Sequence, residues 1–195
     1  LQTAIAHEVN LVSMAGHVVQ FWDGDAGPKF DGVINGGAGV WQAGAGSDNW
    51  TDENGAVNTS FVDDAFVVFA GESSVVQVDD SQGPIHVSGM QFASDGYYIF
   101  GSGSVSLSGT DALVRVGDGT AASAHYLAVI EADLVGPGRL VKADPGRLEL
   151  LGSNSHKGTA IRGGTLAIIG DNALGAWSAA LEIDGGTLET MTYVA

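Results

Sequence analysis

Residues 136 to 175 read GPGRLVKADPGRLELLGSNSHKGTAIRGGTLAIIGDNALG, and one phrase recurs in this stretch and just beyond it. Gly146-Arg147-Leu148-Glu149-Leu150 returns as Gly164-Thr165-Leu166-Ala167-Ile168, and again as Gly186-Thr187-Leu188-Glu189-Thr190, at offsets of 18 and 22 residues. Each phrase carries the period-two pattern of a short strand with one buried face. One turn of a three-sided parallel β-helix takes roughly 20 to 25 residues, so in-register coils would place Leu148, Leu166 and Leu188 above one another in an apolar ladder. The Gly ahead of each phrase suits a tight corner where φ is positive. The expected fold is therefore all-β: a right-handed, single-stranded, three-sided parallel β-helix.

Upstream, short β runs follow one another with Gly, Asp, Ser or Asn between them about every ten residues. Val33 to Trp41, Phe66 to Phe69, Val75 to Val78, Ile85 to Phe92, Tyr97 to Phe100, Val105 to Leu107, Leu113 to Val116, Tyr126 to Ile130 and Arg139 to Val141 all read this way. Helical periodicity is hard to find, because Gly interrupts nearly every window that would carry it. Residues 1 to 135 are expected to form less regular upstream coils, with 1 to 20 a cap or an irregular opening. Residues 136 to 195 carry the repeat, and the two parts form one continuous solenoid. Eight or nine coils, about 40 Å long, would use up the chain.

Composition narrows the function. The 195 residues include 30 Gly, no Cys and 45% hydrophobic residues, enough to bury a core. The formal charge of −16 repels nucleic acid and anionic surfaces, so nucleic-acid binding is not expected. That charge is uneven: residues 1 to 138 hold two bases against 17 acids, and residues 139 to 195 hold five bases against six acids. Without Cys there are no disulfides, thiolate nucleophiles or Cys-ligated metals. No secretory leader pattern opens the chain, no stretch reaches 18 consecutive apolar residues, and Leu1 in place of Met suggests a piece of something longer.

The stretch 136 to 175 resembles the passenger-associated repeat of bacterial autotransporters. The matching places are Gly138, Leu140, Val141 and Lys142; Gly146, Leu148 and Leu150; Asn154, Gly158 and Thr159; Gly163, Gly164, Thr165 and Leu166; and Ala173, Leu174 and Gly175, with a second Gly-Gly-Thr-Leu at Gly185, Gly186, Thr187 and Leu188. Phe21 to Gly24, Gly36 to Trp41 and Asn49 to Thr51 are similar to strings that precede such repeats. His156-Lys157 and Asp144-Pro145 depart from the usual pattern, both in turns. The resemblance implies a passenger displayed on the bacterial surface or secreted, acting in adhesion or self-association. Its partners would be a host surface protein or glycan, another passenger copy, and the C-terminal outer-membrane β-barrel of its own chain.

No catalytic set emerges: Gly-x-Ser-x-Gly, His-Glu-x-x-His and a P-loop are all missing, and the five His are scattered singly. Asp63-Asp64 and Asp79-Asp80 could meet on neighbouring coils as an acid and base of a polysaccharide-active enzyme, although a polyanionic substrate would find only two cations in the first 138 residues. Asp23-Gly24-Asp25 and Gly117-Asp118-Gly119 could offer oxygens to Ca²⁺, but neither has a recognised loop pattern, and solvated turns explain them more simply. No cofactor or metal is expected. Trp41 and Trp50 are expected in the core or at corners, with sugar stacking the alternative.

Overall fold

The computed structural model describes residues 16 to 192. The opening of the chain, including His7 and most of the expected cap at 1 to 20, lies outside the described residues.

The alternating phrases form parallel strands in register. Arg147–Leu150 pairs with Thr165–Ile168, and Thr165–Ile168 pairs with Thr187–Thr190. Leu148 lies beside Leu166 and Leu166 beside Leu188. The same face continues upstream through Leu127–Ile130, Tyr97–Phe100, Val75–Asp79 and Gly39–Gln42, giving seven strands among the described residues. A second face stacks Val19–Trp22, Ala65–Phe69, the later half of Ile85–Phe92, Asp111–Val116, Arg139–Ala143, Gly158–Ile161 and Ala180–Ile183. The third is shorter, running from the first half of Ile85–Phe92 through Ser104–Leu107 to Asp133–Val135. Three parallel faces visited in turn make a three-sided β-helix, and parallel crossovers of this kind wind right-handed.

Inward residues of the three faces form the core. One ladder runs Val76, Ile99, Ile130, Leu150 and Ile168, and another runs Val67, Met90, Val114, Lys142 and Ile161, all buried. Tyr97 stacks beside Ala128, a large rung against a small one, which keeps the interior filled.

Two expectations change here. Among the described residues there are seven coils, which at about 4.8 Å span roughly 30 Å, against the eight or nine coils expected of the whole chain. The upstream turns use more chain: Tyr97 pairs with Ala128, 31 residues on, and Gly39 with Val76, 37 on. The second change is at the start of the solenoid, where the strand expected over Val33 to Trp41 shrinks to Gly39–Gln42 and an isolated bridge from Gly36 to Glu72. Gly36 and Gly37 hold φ of 75° and 93°, outside the β region, so the run bends around Trp22 instead of extending. Trp50–Thr51 and Asn58–Thr59 then pair antiparallel beside Val19–Trp22, so this end is not built from plain parallel coils.

Candidate functional site: the repeat coils and their surface

The repeat residues divide by task. Leu140, Leu148, Leu150 and Leu166 are buried rungs, and Leu174 and Leu188 are partly buried against the same core. Thr165 faces outward and is half-buried. Gly138, Gly146 and Gly186 lie where an added Cβ would press on the preceding coil, at Leu107 O, Val116 O and Ile161 Cγ2 respectively, while Gly163 and Gly185 sit in the corners beside them. Gly164 has φ of 62° and its Cβ position meets the carbonyl oxygens of Gly146 and Asp144, so neither its conformation nor its space suits a side chain. Gly164→Ala should cost at least about 2 kcal/mol in a urea melt. At Gly175, with φ of 104°, a Cβ would lie 2.6 Å from His156 O.

Lys142 is unusual in this set. Its Cα stands in register between Val114 and Ile161, an aliphatic rung, and the side chain is fully buried. The ammonium donates to Ala143 O at 2.7 Å, Asp144 O at 2.9 Å and Gly163 O at 3.1 Å, filling its three donor positions at the corner of two coils. Asp144, one of the residues that departs from the usual repeat, holds φ of 64° and is fixed by Arg115, whose guanidinium lies 3.0 Å from its carboxylate. Burial lowers the Lys142 pKa to about 8, with the nearby Asp144 carboxylate opposing that shift.

A second buried polar set lies on the side that follows Leu150. Asn154 accepts from Leu134 N and donates to Ala173 O, both at 2.8 Å, so one amide joins three coils. His156, fully buried, lies 3.0 Å from the hydroxyl of Thr159, which donates to Leu174 O. Burial pushes the His156 imidazole below its ordinary pKa, so the ring is neutral at pH 7. These residues hold the short 3₁₀ turn Asp171–Leu174 and the loop after it; they are structural pins.

On the outside, Arg147 pairs with Glu149 at 2.8 Å and reaches Glu189 at 2.6 Å, passing over the coil that carries Thr165 and Ala167. Arg139 does the same from Asp111 at 2.8 Å to Glu182 at 2.7 Å, across Gly158 and Ala160. Small side chains on the middle coil leave room for this reach. The hydrogen bonds from Arg139 and Arg147 hold Asp111 and Glu189 below their usual carboxylate pKa values. The contacts of Arg139 with Asp111 and of Arg147 with Glu189 are therefore present at neutral pH and lost only as pH falls below the ordinary carboxylate range near 4. Arg147→Ala should speed amide exchange in Thr187–Thr190 and leave Leu127–Ile130 unchanged.

The acidic pairs do not assemble into an acid and base. Asp63 binds His86 at 2.9 Å, Asp64 lies 3.2 Å from His17 and also bonds Ser108, Asp80 accepts from Ser104, and Asp79 accepts from Ser81 within its own turn. In the Asp23-Gly24-Asp25 turn, Asp23 is buried and accepts from Asn35 N at 2.8 Å and Asn58 Nδ2 at 2.6 Å, while Asp25 accepts from Ala38 N at 2.7 Å. Asp118 accepts from Thr120 N and its hydroxyl. Among the described residues, no group of three or more His, Asp or Glu is placed to hold a metal ion. Trp41 and Trp50 are fully buried, with Trp22, Phe61 and Phe69, as an aromatic plug at 5.1 to 6.1 Å between ring centroids. Sugar stacking on Trp41 or Trp50 is excluded by that burial. Among the described residues, Phe30 and Trp177 are exposed aromatics, and neither is singled out by a sequence pattern.

Comparison with known proteins matches residues 140–168 to the passenger-associated-transport-repeat family. Over 197 aligned residues, 97% of this chain, the sequence is 47% identical to the adhesin BmaC autotransporter of Brucella suis biovar 1. The chain spans about 6% of that relative's length. No solved structure matches. Repeat, solenoid and relative agree on a protein exposed at the cell surface or released from it, and the chain belongs to the passengers of bacterial autotransporters.

Proposed function

We propose that this solenoid is a non-catalytic contact segment of an adhesin, displaying its outer faces to a host surface protein or glycan or to another passenger copy. The observation that carries the reading is the likeness, over 97% of this chain and about 6% of the relative, to a protein named an adhesin. The disposition of the acids supports the non-catalytic part: each acid of the two candidate pairs is engaged with its own turn or with a neighbouring coil. A stack of coils at about 4.8 Å is a stiff support, and many copies on one cell turn weak contacts into avidity. Expression on non-adherent bacteria tests this. Host-cell attachment or autoaggregation should rise, and no change in either assay would contradict it.

A second reading assigns the segment to folding and export, with activity elsewhere in the full protein and anchorage through its own C-terminal β-barrel. It is favoured by the match of residues 140–168 to a transport-associated repeat and by the arginine clasps that tie three coils together. Deleting residues 136 to 188 should then abolish surface display without altering ligand binding by the purified remainder; normal display of that deletion would contradict the reading. A polysaccharide-cleaving enzyme on this scaffold would reveal itself by new reducing ends in a substrate screen.

A further inference from the structure

We infer that the outer face of the strands Val75–Asp79, Tyr97–Phe100 and Leu127–Ile130 is a docking surface for a basic protein segment with an apolar centre, an inference that rests on the adhesin reading and gives it a place and a partner class. One outward column of this face runs, in register, through Val75, Tyr98, Val129, Glu149, Ala167 and Glu189. Beside it Leu127 is followed by Arg147, Thr165 and Thr187, and Gln77 lies next to Phe100. One geometry therefore carries two kinds of surface. The last three coils are polar and charged outside, whereas the three before them present Val75, Tyr98, Phe100, Leu127 and Val129. Val75 is 46% exposed and the other four are half-buried.

The patch lies inside the stack. Gly39–Gln42 borders it on one side and Arg147–Leu150, Thr165–Ile168 and Thr187–Thr190 follow on the other, so paired strands flank it at both ends. Folding does not require apolar residues at these places: the coils from Arg147 onward keep the same register with ion pairs and threonines on the outside. Outward apolar side chains that the fold does not need, gathered together and rimmed by polar groups, mark a contact surface. This one is also set in advance. The rings of Tyr98 and Phe100 lie 18° from parallel with centroids 6.0 Å apart, and the Tyr98 hydroxyl donates to Glu131. A partner meets aromatic groups that are already ordered, which lowers the cost of binding, and such groups concentrate binding energy.

Charge selects the partner. Asp95 stands at the corner where the Leu127 strand begins, accepting from Leu127 N at 2.6 Å, and Asp79 and Glu131 close the opposite ends of their strands. Arg147 is the single Lys or Arg in the described strands of this sheet, and it is held by Glu149 at 2.8 Å and Glu189 at 2.6 Å. The partner brings the missing cations: Lys or Arg at the margin, opposite Asp95 and Glu131, around an apolar centre. A second copy of this chain would set the same acids against each other, with a formal charge of −16 on each copy. A glycan would lay hydroxyls over Val75, Leu127 and Val129, where they find no hydrogen-bond partner.

The test pans the full passenger, purified, against a phage-displayed library of random dodecapeptides. Passenger carrying Val75→Ser and Val129→Ser is the counter-target; Tyr98 is kept so that its bond to Glu131 survives. We expect the selected peptides to combine Lys or Arg with aromatic or aliphatic residues, and to lose at least tenfold in affinity on the double variant. They should also weaken several-fold at about 1 M salt, where the screening length falls to roughly 3 Å. Glu131→Gln with Asp95→Asn keeps both hydrogen-bond acceptors and removes both charges, so it should leave the melting curve unchanged, weaken binding and remove most of the salt dependence. That pair keeps the inference testable if the serine variant fails to fold.

The inference is overturned by a library that yields no peptide specific to the wild type, by selected peptides that are acidic or uncharged, or by binding indifferent to Glu131→Gln with Asp95→Asn. A passenger that sediments as a dimer and becomes monomeric with Val75→Ser and Val129→Ser also overturns it, because the occupant is then a second copy. Host-cell attachment is measured with the same variants displayed on non-adherent bacteria. Attachment that both variants retain defeats this face and leaves the adhesin reading standing, whereas absent attachment by the wild type defeats the adhesin reading itself.

Discussion

Lys142→Met should destabilise the solenoid by about 3 kcal/mol, although it places an apolar side chain of similar length at an apolar rung. Hydrophobic patterning alone would favour Met beside Val114 and Ile161. The decisive groups are the carbonyls of Ala143, Asp144 and Gly163, which meet at the corner and would be left buried without a donor. Each orphaned buried acceptor costs about 1 to 3 kcal/mol, which outweighs the methylene and sulfur contacts that Met supplies. A denaturant melt measures the difference, and a stabilised variant would show that the corner does not need the ammonium. The pH dependence has a defined sign. Lys142 titrates near 8 in the folded chain and near 10.4 when unfolded, so between these values the unfolded state binds more protons. The penalty for burying the ammonium is fully present below pH 8 and is relieved as pH rises toward 10.4. The contribution of Lys142, read as wild type against Lys142→Met, should therefore improve over that window.

Trp50→Ala should cost about 3 to 5 kcal/mol and act at the other end of the molecule. Trp50 is fully buried and stands 5.1 Å from Trp22, 5.3 Å from Trp41, 5.6 Å from Phe61 and 5.8 Å from Phe69, so its loss opens a cavity bounded by four rings. Three of those contacts, with Trp22, Trp41 and Phe69, are edge-on and add to the area term. In a solenoid each coil leans on its neighbours, so exchange protection should fall most in Val19–Trp22 and Gly39–Gln42 and fade toward Arg147–Leu150. Uniform loss along the stack would mean that the coils melt as one unit.

The fold was legible where coil length was nearly constant. Between Arg147 and Thr187 the coils take 18 and 22 residues, close enough for Leu148, Leu166 and Leu188 to align by eye. Upstream the phase is lost because loops of different length intervene: Val19 pairs with Phe66, 47 residues on, after the antiparallel detour through Trp50 and Asn58. Inward polar residues were harder to foresee. Asn154, His156 and Thr159 stand in a stretch without alternation, and their burial follows from hydrogen bonds to coils on either side. The clasps of Arg139 and Arg147 were hidden for another reason, since each reaches two coils ahead, and only the register reveals that a small residue lies between. They also account for part of the uneven charge, as both arginines serve acids on other coils.

In-register parallel stacking is the claim on which the rest depends, and disulfide trapping tests it directly. The chain has no Cys, so two introduced thiols have only each other to join. Thr165 and Thr187 are paired on adjacent coils, and neighbouring strands place Cα atoms about 4.8 Å apart, within the 4.4 to 6.8 Å that a disulfide spans. Thr165 and Glu189 are two residues out of register, roughly 8 Å apart and beyond that reach. Mild oxidation should cross-link Thr165→Cys/Thr187→Cys rapidly and Thr165→Cys/Glu189→Cys poorly. Equal rates, or the reverse order, would contradict the β-helix described here.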